Sequence, residues 1–143
     1  MSLLSRLLFW RKPDETPEHL RRGALGETAA KKHLQQFGLK FLAANVRTRR
    51  GELDLVFRDG ECLVFVEVKT RSSERWSRPA RAVDSSKRTK LSRAAFDYLR
   101  MLPDPNVKFR FDIVEVLLKD GEVSEIRHLP NAFNLTRGPV RRR

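Results

Sequence analysis

Asp54, Glu67 and Lys69 are the side chains of this sequence whose types and spacing could do chemistry. They sit in GELDLVFRDGECLVFVEVKTR, residues 51–71, where two alternating apolar runs are joined by Asp59-Gly60, a strong hairpin signal. With Asp59 and Gly60 as the two central turn residues, Asp54 faces Phe65 and Glu52 faces Glu67. Opposed residues share a sheet face and side chains alternate with period two, so Asp54, Phe65, Glu67 and Lys69 are expected on one side. Diagonal neighbours in such a hairpin lie roughly 7 to 8 Å apart, with their side-chain tips closer, so one cation could touch both carboxylates. A bulge in the hairpin would turn Asp54 away from Glu67.

Two acids converging on an apolar strand pair resist joint ionisation unless a divalent cation or a lysine neutralises them. The plainer alternative is an exposed Glu67–Lys69 ion pair at a strand end, worth little to stability. Which reading holds depends on the elements that position these groups.

Thr16-Pro17 reads as an N-cap followed by proline at the first helical position, and Gly38 as the helix stop. Leu20, Gly23, Ala24, Glu27, Ala30, Leu34 and Phe37 recur at three- and four-residue spacing, which predicts one inward stripe with Glu27 in its middle. An acid there requires a partner: either a salt bridge with Arg47 or Arg49, or the cluster around Asp54 and Glu67. Phe41 to Arg47 reads as a first strand, turned back by Arg49-Arg50-Gly51 into the hairpin.

After Lys69 comes TRSSERWSRPARAV, with Arg71, Arg75, Arg78 and Arg81 around Trp76 and Pro79. Arginines beside an exposed aromatic suit a nucleic-acid contact loop, and composition alone suits a solvated linker equally well. Asp84 or Ser85 caps the next helix, which ends before Pro103. Its stripe is Val83, Lys87, Leu91, Ala94, Ala95, Tyr98 and Leu102, so Lys87 either snorkels out of the core or reaches the acid cluster. Val107 to Leu118 reads as a central strand, and Asp120-Gly121 turns it into a shorter edge strand, Glu122 to Leu129. The expected layout is an N-terminal extension over 1–15, one α/β domain over 16–133 and a basic flexible tail over 134–143.

Composition narrows the partners. The 143 residues carry 30 Lys and Arg against 18 Asp and Glu, a formal charge of +12, which points to an anionic partner, nucleic acid first. Cys62 is the single cysteine and reads as a buried thiol, which excludes an internal disulfide and fits a reducing cytoplasm. His19, His33 and His128 show no zinc-ligand spacing. Leu3 to Trp10 is apolar but interrupted by Arg6 and too short to span a bilayer, leaving a short amphipathic turn on the domain or on a membrane surface.

Helix, three strands, helix, two strands, with these acids and lysines on them, resembles the PD-(D/E)xK nuclease superfamily, whose fold is that of type II restriction enzymes and archaeal Holliday-junction resolvases. More narrowly the chain resembles the bacterial YraN family, over about residues 20 to 133. The motifs are Gly23 with Gly26-Glu27, Asn45-x-Arg47, Gly51-Glu52-Leu53-Asp54-Leu55, Val64-Phe65-Val66-Glu67-Val68-Lys69-x-Arg71, Val83 with Lys87, and Phe111-Asp112. Leu53 stands where the superfamily name has proline, which leaves the acid in place. The resemblance implies a restriction-endonuclease-like fold with a mixed central sheet flanked by helices. It implies Mg²⁺ or Mn²⁺ held by Asp54, Glu67 and the main-chain carbonyl of Val68, with Glu27 as an outer ligand. Lys69 would orient or help deprotonate the attacking water, and Lys87 would lean over the same phosphate. The implied reaction is phosphodiester hydrolysis, most plausibly of DNA, with Arg47, Arg49, Arg71, Arg75, Trp76 and Arg78 as nucleic-acid contacts. Related nucleases often pair two copies to cut both strands, which extends the expectation to a homodimer. The alternatives are a binding-only module that keeps the nuclease fold, and an interaction protein attached through Leu3 to Trp10.

Overall fold

The run Leu63-Val64-Phe65-Val66 has no polar alternation because both sides of its strand are covered: each of the four is at most 5% exposed. In the computed structural model, residues 17–72, 84–104 and 106–134 are described. They form α1 (Glu18–Gln36), β1 (Lys40–Arg47), β2 (Glu52–Asp59), β3 (Cys62–Ser72), α2 (Ser85–Arg100), β4 (Lys108–Lys119) and β5 (Glu122–Phe133), the element order expected from the sequence. The five strands lie in sequence order, antiparallel throughout except for the β3–β4 pair, which is parallel. A parallel pair needs a crossover, and the segment containing α2 supplies it.

The two helices cover opposite faces. Ala30 and Leu34 of α1 pack with Leu55, Phe57, Val64, Val66, Val114 and Val116, while Leu91, Ala94, Ala95 and Leu99 of α2 pack with Val56, Leu63, Phe65, Phe111 and Ile113. Asp84 caps α2 by accepting from the Lys87 N–H at 2.8 Å, as expected. At α1 the cap position falls on Pro17, which offers no side-chain bond, and Thr16 and Val83 lie outside the described residues. Gly38 follows the C-cap Phe37 with φ +86°, the left-handed stop that glycine provides.

Several expectations are corrected. The stripe of α1 is rotated: Gly26, Ala30 and Leu34 are buried, whereas Leu20 (56%) and Phe37 (68%) are exposed, as is Ala24. Hydrophobicity pointed to Leu20 and Phe37, but Leu20 lies in the first turn of the helix and Phe37 is its C-cap, and both are left exposed. Strand β5 is longer than expected, reaching Phe133, because Asp112 accepts from the Asn131 N–H at 2.9 Å and Phe133 stacks on Phe111 at 4.5 Å across an irregular register. Cys62 is half-buried rather than buried.

The hairpin register also differs. Asp59 pairs with Cys62, so the central turn residues are Gly60 and Glu61, with φ +59° at Gly60. Asp59 is kept at the strand end, where Arg110 of β4 holds its carboxylate at 3.0 Å. The second Asp-Gly behaves as expected: Lys119 pairs with Glu122, and Asp120 and Gly121 both have positive φ. The change in the first hairpin amounts to a slip of two residues, which preserves the faces of the paired residues from Leu55 to Val66.

Candidate active site

Beyond Leu55–Val66, the last pair of the β2–β3 ladder, the two strands part and Asp54 stands opposite Glu67. The parting would leave the Val68 N–H without a ladder partner, and Asp54 Oδ2 accepts it at 2.9 Å. Strand β2 turns over here, since Leu53 packs on the α2 side and Leu55 on the α1 side. Beside it, Asn45 of β1 is in the left-handed region at φ +51°. The irregularity that could have turned Asp54 away is therefore present, yet it aims Asp54 across at β3.

Glu67 is 6% exposed and compensated by two cations. Lys69 Nζ lies 3.7 Å from Glu67 Oε1, and Lys87 Nζ from α2 makes an ion pair with the same oxygen. The lysine two residues along the strand thus belongs to a half-buried cluster, and Lys87 turns toward the sheet end rather than away from it. Asp112, by contrast, is a structural acid: 0% exposed, it meets Arg110 at 3.0 Å and His128 Nε2 at 2.7 Å.

The cluster's electrostatics follow from crowding. Burial, then the Glu67 charge, push the Asp54 carboxyl up to about 7 despite the Val68 N–H, with a side-chain hydrogen bond to Glu67 and the Glu27 charge adding to the rise. Burial also raises Glu27, opposed by a hydrogen bond with Asn45 and reinforced by Glu52 and Glu67. Lys69 is lowered, first by burial and then by its hydrogen bond with Lys87 and the Lys87 charge, against the pull of Glu67 and Asp54. Burial works to lower Lys87 too, but hydrogen bonds with Glu67 and Lys69 and the charges of Glu67 and Asp54 outweigh it and raise it.

These groups line a cleft of about 820 Å³ that Glu27, Asp54, Glu67, Val68, Lys69 and Lys87 share with His19, Arg22, Gly23, Thr70, Arg71 and Ser72. All the residues expected to act in catalysis or metal binding are therefore together. Glu27 meets Asn45 rather than Arg47 or Arg49; Arg47 lies 4.0 Å from Glu52 instead. Of the expected nucleic-acid contacts, Arg71 lines the cleft, Arg47 and Arg49 are exposed at the β1–β2 turn, and Arg75, Trp76 and Arg78 lie outside the described residues. His19 and Arg22 escaped the sequence reading because the stripe of α1 was drawn through Leu20 and Ala24. The four-residue spacing of Arg22, Gly26, Ala30 and Leu34 was the signal that could have found Arg22.

The Asp54 and Glu67 carboxyls, close enough to hydrogen-bond, form with the Val68 carbonyl a hard-oxygen donor set suited to Mg²⁺ or Mn²⁺. Among the described residues there is no group of three or more His, Cys, Asp or Glu placed to close a ligand shell, so a cation here would depend on water and substrate oxygens as well.

Mixed sheet, two flanking helices and an acid–lysine cleft at the sheet end define an α/β domain of the arrangement expected from the resemblance. Residues 26–116 match the family described as "Uncharacterised protein family UPF0102", and the chain belongs to that family, the YraN family of the sequence motifs. A UPF0102 protein of Geobacter metallireducens is 41% identical over 79% of this chain and 92% of its own length. One from Chlorobaculum tepidum is 44% identical over 78% and 90%, and one from Syntrophus aciditrophicus 39% identical over 85% and 94%. Among the described residues no helix is long and apolar enough to cross a membrane.

Proposed function

We propose that this chain is a divalent-metal-dependent endonuclease of the PD-(D/E)xK superfamily that hydrolyses phosphodiester bonds in DNA. The observation that carries the reading is the meeting of Glu27, Asp54, Glu67, Lys69 and Lys87, from four separate elements, at one cleft. A module that only bound nucleic acid would gain nothing from concentrating three acids where phosphates must approach.

Asp54 and Glu67, with the Val68 carbonyl, would hold Mg²⁺ or Mn²⁺, and Glu27 would add an outer contact. When bound, the cation supplies Lewis acidity toward the phosphate and lowers the pKa of water. Burial and then the neighbouring Lys87 lower Lys69, which eases its release of a proton and suits it to take one from the attacking water. Lys87, raised and therefore charged, suits the complementary role of countering charge that builds on the phosphate. Arg71 would hold the substrate backbone beside them, and a homodimer would present two such clefts to a duplex.

The test is cleavage of branched, nicked and duplex DNA in Mg²⁺ and Mn²⁺. Asp54→Ala and Glu67→Ala should each lower the rate by on the order of 10²-fold or more. Equal cleavage by the wild type and both variants would sink the proposal. Salt-sensitive binding with no hydrolysis in any metal would assign the chain to the binding modules.

A further inference from the structure

The inward row of α1 runs Leu34, Ala30, Gly26 and then, one turn further toward the N-terminus, Arg22. A row that packs on the sheet thus ends in a guanidinium, at the point where the helix passes the end of β3. The row beside it is Glu27, Gly23, His19, all lining the cleft. Gly26 explains why these turns come so close: a methyl group there would run into Thr70 Oγ1, so only glycine lets α1 settle on β3. Gly23 is different. A methyl group at Gly23 would meet nothing within 4 Å among the described residues, so their packing does not require its small size. A helix-interior glycine carries a conformational cost, and here it leaves bare backbone facing the cleft.

Arg22 and Ser72 have a second placement. They line the acid–lysine cleft and also a smaller cavity of about 350 Å³ that continues toward Asp120 and Gly121 in the β4–β5 turn. Arg22 and Ser72 thus stand between the carboxylate cleft and the cavity at the β4–β5 turn, on the side where α1 passes the end of β3.

We propose that the first turns of α1 form a wall for a nucleic-acid strand: a phosphate outside the Asp54–Glu67 centre lies against the bare backbone at Gly23, between His19 and Arg22 and across from Arg71. This rests on the nucleic-acid reading of the cleft and deepens it by naming where the strand leaves. His19 and Arg22 precede residues 26–116, which match the family model. Arg22 supplies the charge, and Gly23 supplies the close approach that a side chain would block.

The experiment is fluorescence anisotropy with fluorescein-labelled duplex DNA carrying a single-stranded overhang, in EDTA, over a salt series. Arg22→Ala should lower the slope of log affinity against log salt by about one, the signature of one lost phosphate contact. Lys108→Ala, which removes an exposed cation at the opposite end of the β3–β4 ladder, should leave the slope unchanged. Gly23→Ala should raise the melting temperature while weakening binding severalfold, a combination that a purely structural role would not produce. Absence of binding by the wild type, an Arg22→Ala slope equal to that of wild type or of Lys108→Ala, or full-strength binding by Gly23→Ala would each overturn the wall. Because no metal is present, the outcome is separable from the nuclease proposal. Loss of slope in a protein that cleaves nothing leaves the wall standing, and metal-dependent cleavage with unaltered Arg22→Ala and Gly23→Ala binding removes the wall alone.

Discussion

Asp54 answers two demands at once. It closes the hydrogen-bond gap where β2 and β3 part, and it holds a carboxyl against Glu67 at the cleft floor. The second demand has a measurable cost. Folding lifts the Asp54 carboxyl to about 7, so between roughly pH 4 and 7 the native state keeps a proton that the unfolded chain has released. Stability in chelator should therefore fall as pH rises through that window and stay lower above it, by on the order of 4 kcal/mol over the whole window. Urea denaturation at pH 5 and pH 8 reads this directly, and Asp54→Asn should flatten the difference. Millimolar Mn²⁺ at pH 8 should restore wild-type stability but leave Glu67→Ala where it is, since the cation relieves the crowding of charge on Asp54 only if both carboxylates are there to hold it.

Helix α1 contains two glycines three residues apart with opposite duties. At Gly26 the close approach to Thr70 outweighs helix propensity, so Gly26→Ala should destabilise by about 1 to 3 kcal/mol although alanine is the better helix former. Thr70→Ala removes the obstructing hydroxyl, and a double-mutant cycle should show coupling of about 1 kcal/mol. Absence of coupling would mean that α1 does not need Thr70's side of β3 for its seat. Helix α2 is held differently: Asp84 caps its start, and Asp97 takes Arg50 from the β1–β2 turn at 2.7 Å. Gly51 also lies against α2, where a Cβ would stand 3.0 Å from the Lys90 carbonyl. The turn leading into the Asp54 strand is thereby tied to the helix that carries Lys87, which keeps the two halves of the cleft in register.

Across the whole molecule, Asp112 joins parts far apart in sequence. It accepts from Arg110 and from the Asn131 N–H and lies against His128, while Arg110 reaches on to Asp59 at the β2–β3 turn. Burial opposes its charge, but the His128, Arg110 and Asn131 contacts prevail and hold its carboxyl below the usual range. Removing one partner of such a buried set leaves charge uncompensated, so Asp112→Ala should cost about 3 to 5 kcal/mol, seen as a fall in the urea midpoint. Asp112 pairs with Val66, next to Glu67, but its contacts run to Arg110, His128 and Asn131, none of which lines the cleft, so folded Asp112→Ala protein should keep the salt slope of nucleic-acid binding.

Much of the site was legible because periodicity fixes faces without fixing distances. Period two put Asp54, Glu67 and Lys69 on one side; the two-residue slip of the hairpin leaves the faces from Leu55 to Val66 unchanged, and at Asp54, where β2 turns over, the bond to the Val68 N–H brings the carboxyl to β3. Helical spacing placed Lys87 with Leu91, Ala94 and Ala95 on the packed side of α2 in the same way. What stayed out of reach depended on contacts between distant segments. The register followed from Arg110 capturing Asp59, the seat of α1 from Gly26 against Thr70, the partner of Glu27 from a left-handed Asn45, and the length of β5 from Asp112. The sequence by itself determined which elements form, their order and which acids share a side. Only the tertiary structure decided that Asp54 faces Glu67, that Lys87 reaches it and that Arg22 stands at the cleft, because each depends on which surfaces meet in space, and local periodicity carries no information about that.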